Sequence, residues 1–230
     1  MVLTVFRWAP EAGERTDRFE VEAGPATTVL DALVDVQRRR DPTLAFRYAC
    51  RNGMCGSCGM VIDGRERWAC RTLLRTLGDT VTVRPMYHYP LVRDLVVDMA
   101  PFRERMVAAR AAFVPAPAAP DYALVPGEGA ERRRIDATIE CIGCGLCLSA
   151  CSVVGHDPRF PGPAPLNRAY TLELDSRDGA REARMGLLLS DDMLARCHAQ
   201  ANCTAVCPMQ LEPAGSILAL RRRAVRALFG

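Results

Sequence analysis

Alternation of apolar and polar residues dominates the first hundred positions and predicts a β-rich domain. β-Branched and aromatic residues recur at alternate positions in strands predicted at residues 2–8, 18–23, 59–64, 66–73 and 80–85. The segment TTVLDALVDVQRRR (27–40) carries apolar residues at helical spacing behind Thr27 or Thr28, either of which can cap a helix. This order of strands around one helix predicts a small β-grasp domain over residues 1–100.

After Leu91 the pattern becomes helical. Residues 91–113 predict a helix that breaks at Pro101. Residues 114–129 are dense in Pro and Gly and are predicted to be irregular, and the segment that connects the two domains is placed at residues 101–130. Helical periodicity returns at residues 164–176, 181–197 and 213–229, and it predicts an all-α domain over residues 131–230. The predicted fold class is therefore α+β.

Composition and charge exclude several classes of protein. Hydrophobic residues make up 49% and charged residues 25% of the 230 positions, which excludes a disordered chain. No apolar run reaches the roughly 18 residues that a membrane-spanning helix needs. A net charge of +3 is too small to indicate a nucleic-acid partner. Three RRR runs, the last at Arg221–Arg223, are typical of solvated faces, although one of them could meet an acidic partner.

The unusual feature is the count of 11 cysteines, because an odd number cannot close as disulfides with none left over. The first residues lack the basic and apolar regions of a signal peptide, which favours an intracellular chain. Thiols stay reduced inside cells, and clustered cysteines there bind metal more often than they pair. The cysteine spacings therefore carry the functional information.

The first cysteine group has the spacing C-x4-C-x2-C-x11-C. Its members are Cys50, Cys55, Cys58 and Cys70. The first three match the plant-type [2Fe–2S] spacing, which takes a distant fourth cysteine. Gly53, Gly56 and Gly59 let backbone N–H groups curl around a negatively charged cluster, and Arg51 adds positive charge beside it. The alternative is a zinc site, but zinc sites favour paired C-x2–4-C spacings over this triplet.

Two further groups follow the spacing of bacterial ferredoxins, C-x2-C-x2-C-x3-C. The first run is complete and contains Cys141, Cys144, Cys147 and Cys151. Ser152 follows it where proline is usual. The second run retains Cys197, Cys203 and Cys207, but Gln200 stands where the template places its second cysteine.

In two-cluster ferredoxins the last cysteine of each run binds the other cluster. This rule predicts a [4Fe–4S] cluster held by Cys141, Cys144, Cys147 and Cys207. The remaining thiolates, Cys151, Cys197 and Cys203, leave one corner without a ligand and favour a [3Fe–4S] cluster. The alternative is a second four-iron cluster with a non-thiolate ligand at that corner. Because an amide such as Gln200 is a poor ligand for iron in a sulfur site, three irons are favoured.

The three motifs in this order resemble the iron–sulfur subunit of succinate dehydrogenase and fumarate reductase. Other segments are similar to family segments and occur in family order: TVLDAL (28–33), DPTLAFRYACRNGMCGSCGM (41–60), PLVRDLVVDM (90–99), DSRD (175–178) and CHAQANCTAVCP (197–208). The resemblance covers nearly the whole chain. It implies an N-terminal β-grasp [2Fe–2S] ferredoxin-like domain followed by a C-terminal all-α ferredoxin-like domain.

The resemblance also implies an activity and partners. A flavoprotein subunit oxidises succinate or reduces fumarate at its FAD, and electrons pass along the [2Fe–2S], [4Fe–4S] and [3Fe–4S] clusters to or from a quinone at a membrane-anchor subunit. This chain would be a peripheral subunit at the cytoplasmic face of the cell membrane. It would supply the electron relay and no residue for the chemistry of succinate. The alternative is a subunit of a soluble, thiol-linked fumarate reductase or another electron carrier.

Two histidines lie near the cysteine runs. His198 directly follows Cys197, as in several quinone-reducing members, so it is a candidate hydrogen-bond partner or proton donor for quinone. A solvent-facing histidine beside the cluster is an equal alternative. The segment 152–163 lacks the tryptophans of ubiquinone-reducing members and carries Gly155, which favours menaquinone. The roles of His156 and Ser152 stay open.

Overall fold

The computed structural model describes residues 1–117, 127–189 and 193–229. The chain separates into two compact units, each described below by itself. Unit 1 contains residues 1–99 and 142–150, and unit 2 contains residues 100–141 and 151–230. The short segment Ile142–Ala150, which the sequence pattern places in the C-terminal domain, therefore groups with the N-terminal residues.

Strands are concentrated in unit 1 and helices in unit 2. In chain order the elements are β1 (Val2–Ala9), β2 (Gly13–Glu20), α1 (Val29–Arg39), β3 (Gly59–Ile62), β4 (Arg65–Trp68), β5 (Thr80–Arg84), β6 (Leu91–Arg93), β7 (Val96–Val97), α2 (Ala100–Ala108), α3 (Ala130–Ile139), α4 (Leu146–Ser149), α5 (Ser152–His156), α6 (Pro163–Leu174), α7 (Arg181–Leu188), α8 (Asn202–Ala205) and α9 (Pro213–Phe229). Two short 3₁₀ helices follow β4, at Ala69–Arg71 and Leu74–Thr76.

The sheet of unit 1 is mixed and has the strand order β2-β1-β5-β3-β4. Strand β1 runs antiparallel to β2 and parallel to β5, whereas β3 runs antiparallel to both β5 and β4. Alternate side chains such as Leu3, Val5, Val81 and Val83 are fully buried, as their period of two predicts. The predicted α+β fold with an N-terminal β-grasp arrangement is confirmed.

Helix α1 begins at a capping box, and this resolves which threonine is the cap. The hydroxyl of Thr28 accepts the backbone N–H of Asp31 at 3.1 Å, and the Asp31 carboxylate accepts the Thr28 N–H at 3.1 Å. Val29, Leu33 and Val36 are fully buried along one face of the helix. The apolar spacing thus predicts both the helix and its buried side.

Three segments differ from their sequence predictions. Strand β2 begins five residues earlier than predicted and ends at Glu20. The strand predicted over residues 66–73 ends at Trp68 and continues as a 3₁₀ turn. Residues 91–97 form the antiparallel β6–β7 pair instead of a helix, and Pro101 is the second residue of α2 instead of a break. Proline is tolerated there because the first turn of a helix does not use its N–H groups.

The β6–β7 pair is stabilised by Asp94, which adopts a left-handed backbone conformation with φ of 47°. Its buried carboxylate accepts the backbone N–H groups of Trp8 at 3.0 Å and Ala45 at 2.8 Å. These long-range bonds explain why a helical periodicity fails at residues 91–97. The hydrophobic periodicity of residues 91–97 gives no sign of the N–H groups of Trp8 and Ala45, which bind the Asp94 carboxylate at the turn between the two strands.

In unit 2, helix α6 packs against α3 and α9. Asn167 on α6 is almost fully buried and donates to the carbonyl oxygen of Thr138 at 2.9 Å. It also accepts the hydroxyl of Ser216 on α9 at 2.8 Å. One side chain therefore joins three helices, and a buried polar group satisfied on both sides specifies their packing.

Parts of the helical predictions lie outside the described residues. The helix predicted over 181–197 ends at Leu188, and residues 190–192 are among those not described. Much of the predicted irregular segment 114–129 also lies outside, since residues 118–126 are not described. Within the described residues, no helix is both long and apolar enough to cross a membrane.

A buried arginine connects the sheet to the loop that precedes the first cysteine. Arg7 is only 2% exposed and lies among three carboxylates. It donates to Asp17 at 2.8 Å, to Thr43 at 2.9 Å and to Asp41, and its Nε lies 3.1 Å from Asp94. The Nε contact is an ion pair without hydrogen-bond geometry. A hydrogen bond from Thr43, together with Arg7, lowers the pKa of Asp41 to about 2.

This network predicts a loss of stability in acid. A depressed carboxyl pKa stabilises the fold fully above its ordinary value of 3.8, and the contribution disappears as the pH falls through about 2. Asp41→Asn should lower the free energy of unfolding at neutral pH by about 1–3 kcal/mol. Urea unfolding, followed by tryptophan fluorescence between about pH 7 and pH 2.5, should show this difference shrinking in acid.

The matched control is Asp35→Asn. Asp35 forms an exposed ion pair with Arg39 one turn away on α1, and its loss should cost about 0.5 kcal/mol or less. A stability difference for Asp41→Asn that stays constant from neutral pH to the acid limit would contradict the prediction.

Candidate iron–sulfur sites

The loop of the first cysteine group directs backbone N–H groups at its sulfur atoms. The Sγ of Cys50 accepts the N–H groups of Met54 and Cys55, both at 3.3 Å. The Sγ of Cys55 accepts those of Cys50 and Ser57, both at 3.5 Å. Donors of this kind stabilise a thiolate over a thiol, and they tune the potential of clusters held by thiolates.

This loop curls because several of its residues adopt left-handed backbone conformations. Arg51, Gly53 and Gly56 have φ angles of 58°, 82° and 70°. Two of the three are glycine, the residue for which that conformation carries no steric cost. Gly53 and Gly56 thus have the predicted use, whereas Gly59 begins β3 and has no left-handed φ. Arg51 adopts the left-handed conformation at a non-glycine position.

Cys58 and Cys70 complete the group from the adjoining hairpin. Cys58 directly precedes β3, and Cys70 lies in the 3₁₀ turn after β4. The N–H of Ala69 donates to the carbonyl oxygen of Cys58 at 3.1 Å, which places the two cysteines side by side. The 3₁₀ turn that interrupts the predicted strand 66–73 is therefore the feature that brings Cys70 to the site.

The cysteines of this group differ in acidity. Hydrogen bonds from Ser57 and from the Cys50 backbone lower the pKa of Cys55 to about 6. Burial raises the pKa of Cys58 to about 12, and the neighbouring Cys70 and Cys55 add to the effect. Bound iron would supply the positive charge that a buried thiol needs to lose its proton. The donor set and its N–H groups fit a [2Fe–2S] cluster.

Gly56 also lies against the first residues of the ferredoxin-type run. A Cβ atom at this position would lie 2.5 Å from the Cβ and 3.0 Å from the Cα of Cys144. Cys144 is half-buried, and Cys147 on α4 is buried. The left-handed φ strains any side chain at Gly56, and the close approach to Cys144 adds a steric clash even for alanine.

The complete and the incomplete ferredoxin-type runs fold into the same turn, 56 residues apart. Gly145 opens α4 in the left-handed conformation with φ of 81°, and Ala201 opens α8 with φ of 60°. Two residues earlier, Gly143 and Ala199 have φ angles of 67° and 55°. The hydrogen bonds match as well, since the carbonyl oxygen of each opening residue accepts N–H groups three and four residues later.

Gln200 therefore occupies the place that Cys144 occupies in the complete run. It lies between Ala199 and Ala201, and the left-handed conformation of these two residues costs a non-glycine residue about 1–2 kcal/mol. Strained backbone of this kind persists where its surroundings require it, and it is concentrated at functional sites. The turn of a cluster-binding run is retained here although its second cysteine is absent.

Cys151, Cys197 and Cys203 line one pocket of unit 2 together with His198 and Gln200. Burial raises the pKa of Cys203 to about 11, and the nearby thiols of Cys151 and Cys197 raise it further. Burial likewise raises the pKa of Cys151, against the hydrogen bonds of Val154 and Val153. The three cysteines that the sequence assigns to one cluster are thus brought together.

The last RRR run makes contacts that the sequence pattern could not show, and those of Arg221 reach the carbonyl oxygen of Cys197 in the pocket. Arg221 on α9 donates to the carbonyl oxygens of Leu194, Ala195 and Cys197 at 2.9, 2.8 and 2.7 Å. Arg223 donates to the carbonyl oxygen of Glu173 at 2.9 Å. Two arginines of the last RRR run therefore have bonding partners inside unit 2.

The remaining predicted site residues differ in their exposure to solvent. Cys141 is exposed, and Cys207 is half-buried just after α8. His198 and His156 are both exposed, and His198 is the one that lines the pocket. All 11 cysteines are free of disulfides. Within the described residues, no three His, Cys, Asp or Glu side chains are arranged to hold a single metal ion. The assignment of each cysteine to a particular cluster remains a prediction.

Gly56 and Gly64 provide a matched test of the close approach to Cys144. Both have left-handed φ angles, 70° and 71°, but a Cβ on Gly64 would meet nothing within 4 Å. Gly64→Ala should therefore lower the free energy of unfolding by about 1 kcal/mol and leave the iron content unchanged. Gly56→Ala adds a steric clash worth about 1–3 kcal/mol and should lose the visible absorption of the [2Fe–2S] site.

Iron analysis and visible circular dichroism of the two variants, purified side by side, measure the difference. Equal iron content and equal stability in the two alanine variants would show that the approach of Gly56 to Cys144 is not required.

Comparison with family models separates the same two regions of the chain. Residues 2–104 match a model described as a 2Fe-2S iron-sulfur cluster binding domain. Residues 137–211 match a model described as a 4Fe-4S dicluster domain. The two matched regions contain all 11 cysteines.

Individual relatives match over almost the full length. The succinate dehydrogenase iron-sulfur subunit of Paracoccus denitrificans is 37% identical, over 96% of this chain and 86% of its own. The fumarate reductase iron-sulfur subunit of Mycobacterium tuberculosis is 36% identical, over 94% and 90%. A solved chain of the Mycobacterium smegmatis Sdh1 complex in the apo form matches with a TM-score of 0.84 and 30% identity, over 100% and 97%. The chain therefore belongs to the family of succinate dehydrogenase and fumarate reductase iron–sulfur subunits.

Proposed function

We propose that this chain relays electrons between the FAD of a flavoprotein subunit and a membrane quinone, in a succinate:quinone or quinol:fumarate oxidoreductase. The observation that carries this proposal is the pair of matching cysteine turns, one complete and one with Gln200 in place of a cysteine. A dicluster domain with one missing ligand is the feature expected of such a relay. When bound, iron–sulfur clusters accept and donate single electrons.

The residues divide among three proposed clusters. Cys50, Cys55, Cys58 and Cys70 hold the [2Fe–2S] cluster, and Cys141, Cys144, Cys147 and Cys207 hold the [4Fe–4S] cluster. Cys151, Cys197 and Cys203 hold the [3Fe–4S] cluster. Support for the first set comes from the four N–H groups directed at Cys50 and Cys55. Support for the third comes from the pocket that its three cysteines share.

The chain's own residues tune and insulate these sites. A reduced cluster carries one more negative charge than an oxidised one, and part of that charge lies on its sulfur atoms. Backbone N–H groups that donate to sulfur at the first site therefore stabilise the reduced state. Cys58, Cys70, Cys147 and Cys203 are buried, which keeps water from the corresponding part of each ligand set. Hydrogen bonds to sulfur and solvent exposure are among the features that tune the potential of each cluster in a relay.

The proposed partners are a flavoprotein subunit and one or more membrane-anchor subunits. The chain docks as a peripheral subunit on the anchor at the cytoplasmic face of the cell membrane. Menaquinone is the proposed quinone, since residues 152–163 carry Gly155 and no tryptophan. His198 is the proposed hydrogen-bond partner or proton donor for this quinone, and its exposure and its place in the lining of the three-cysteine pocket support the proposal.

The proposed clusters predict nine irons per chain, because they contain two, four and three. Iron and acid-labile sulfide analysis should give this count in the anaerobically purified protein. The oxidised protein should show the electron paramagnetic resonance signal of a three-iron cluster, and a flavoprotein should copurify from membranes.

Ten irons without a three-iron signal would contradict the cluster assignment. Zinc without acid-labile sulfide would contradict an iron–sulfur function altogether. Recovery as a stable cytosolic monomer without a flavoprotein would favour the alternative of a soluble electron carrier.

His198→Ala tests the proposed quinone site. The variant should retain all three clusters and lose quinone-linked turnover by about 100-fold, the lower range for loss of a positioned proton donor. Succinate oxidation with a water-soluble electron acceptor should stay near wild type, because it bypasses quinone. The control is His156→Ala, since His156 is exposed but does not line the pocket. Unchanged quinone turnover in His198→Ala would remove this residue from the mechanism.

A further inference from the structure

Two departures from the ferredoxin template meet in space. Ser152 stands where proline is usual after the complete run, and Gln200 stands where the second run lacks its cysteine. They are 48 residues apart in the chain, yet the Ser152 hydroxyl donates to the Oε1 atom of Gln200 at 2.7 Å. Taken singly, Ser152 and Gln200 are each a position where the residue of the ferredoxin template is absent. Taken together, they form one hydrogen-bonded pair.

The backbone alone, without any contact of the side chain, puts Gln200 at the position of a ligand. Ala199 and Ala201 hold it in the turn that presents Cys144 in the complete run. Gln200 also lines the pocket of Cys151, Cys197 and Cys203. The matching turn and the pocket lining therefore both assign Gln200 to the corner of the three-cysteine site that has no thiolate.

The local backbone does not require a serine at position 152. Ser152 is the first residue of α5, the position where proline is favoured because its N–H has no partner within the helix. Cys151 before it is extended, with φ of −89° and ψ of 109°, which is a conformation compatible with a following proline. The contact to Gln200 is what distinguishes serine from the template residue.

We propose that Ser152 orients Gln200 so that its amide N–H₂ group, and not its carbonyl oxygen, faces the open corner of the three-cysteine site. This proposal rests on the three-iron assignment above. The hydroxyl of Ser152 engages the carbonyl oxygen, which is the only atom of a neutral amide that could ligate a fourth iron. The N–H₂ group is left to donate toward the cluster.

Orientation of the amide has a redox consequence. A donor directed at the cluster stabilises its reduced state, which carries one more negative charge, and so raises the reduction potential. Ser152 acts through Gln200 and is therefore a positioning residue. Removal of either member of the pair should shift the midpoint potential of the three-iron signal to more negative values.

The test is a double-mutant cycle measured by potentiometric titration of the three-iron electron paramagnetic resonance signal. Wild type, Ser152→Pro, Gln200→Leu and the double variant are each purified as the intact complex with its clusters. We expect a negative shift in both single variants and no further shift when Ser152→Pro is added to Gln200→Leu. Ser152→Thr retains the hydroxyl and should keep the wild-type midpoint.

The possible failures are distinguishable. A wild-type protein with ten irons and no three-iron signal contradicts the cluster assignment before any variant is compared. With that signal present, an unchanged midpoint in Ser152→Pro overturns the proposal, and so does an equal shift in both backgrounds. Iron analysis of every variant detects cluster loss. If Ser152→Pro loses iron, Ser152→Ala, which leaves the backbone free, replaces it in the cycle.

Discussion

The accumulation of negative charge on cysteine sulfur atoms is the constraint on which this structure depends. Thiolates and bridging sulfides need hydrogen-bond donors, and in the first loop the backbone supplies them. A backbone can direct successive N–H groups inward only if it curls, and left-handed residues produce the curl. Glycine is used at Gly53 and Gly56, and the second of these is also required by the approach to Cys144.

The same constraint explains why the turn around Gln200 has the backbone shape of a ligand turn although it contains no cysteine at that position. In the second ferredoxin-type run, Ala199 and Ala201 adopt left-handed conformations although neither is glycine. Cys197 and Cys203 lie on either side of them, so relaxing the turn would move two proposed ligands. Keeping these proposed ligands in place therefore requires the left-handed conformations on both sides of Gln200. Loss of the second cysteine changes the chemistry of one corner and leaves the loop intact.

Sequence spacing predicts the parts of this protein that depend on local order. The cysteine motifs, the capped helix behind Thr28 and the alternating strands of the sheet are all local patterns, and the structure contains them. The spacing fails at residues 91–97, where Asp94 bonds to Trp8 and Ala45 from distant segments. It fails again at Cys70, because periodicity cannot distinguish the end of a strand from a 3₁₀ turn.

Long-range polar contacts account for the rest of the three-cysteine site. Cys151 and Cys197 are separated by 46 positions, and the contacts that connect their loops include the Ser152–Gln200 hydrogen bond and the ion pair of Arg196 with Asp157. From the other side, Arg221 holds the carbonyl oxygens that precede and include that of Cys197. From sequence alone, a charge run predicts a solvated face. Only the fold shows that Arg221 and Arg223 donate to backbone carbonyl oxygens instead. The position of Cys197 thus depends also on Asp157, Arg196 and Arg221, which lie outside the cysteine runs, and substitutions at these residues can alter this site while every ligand is retained.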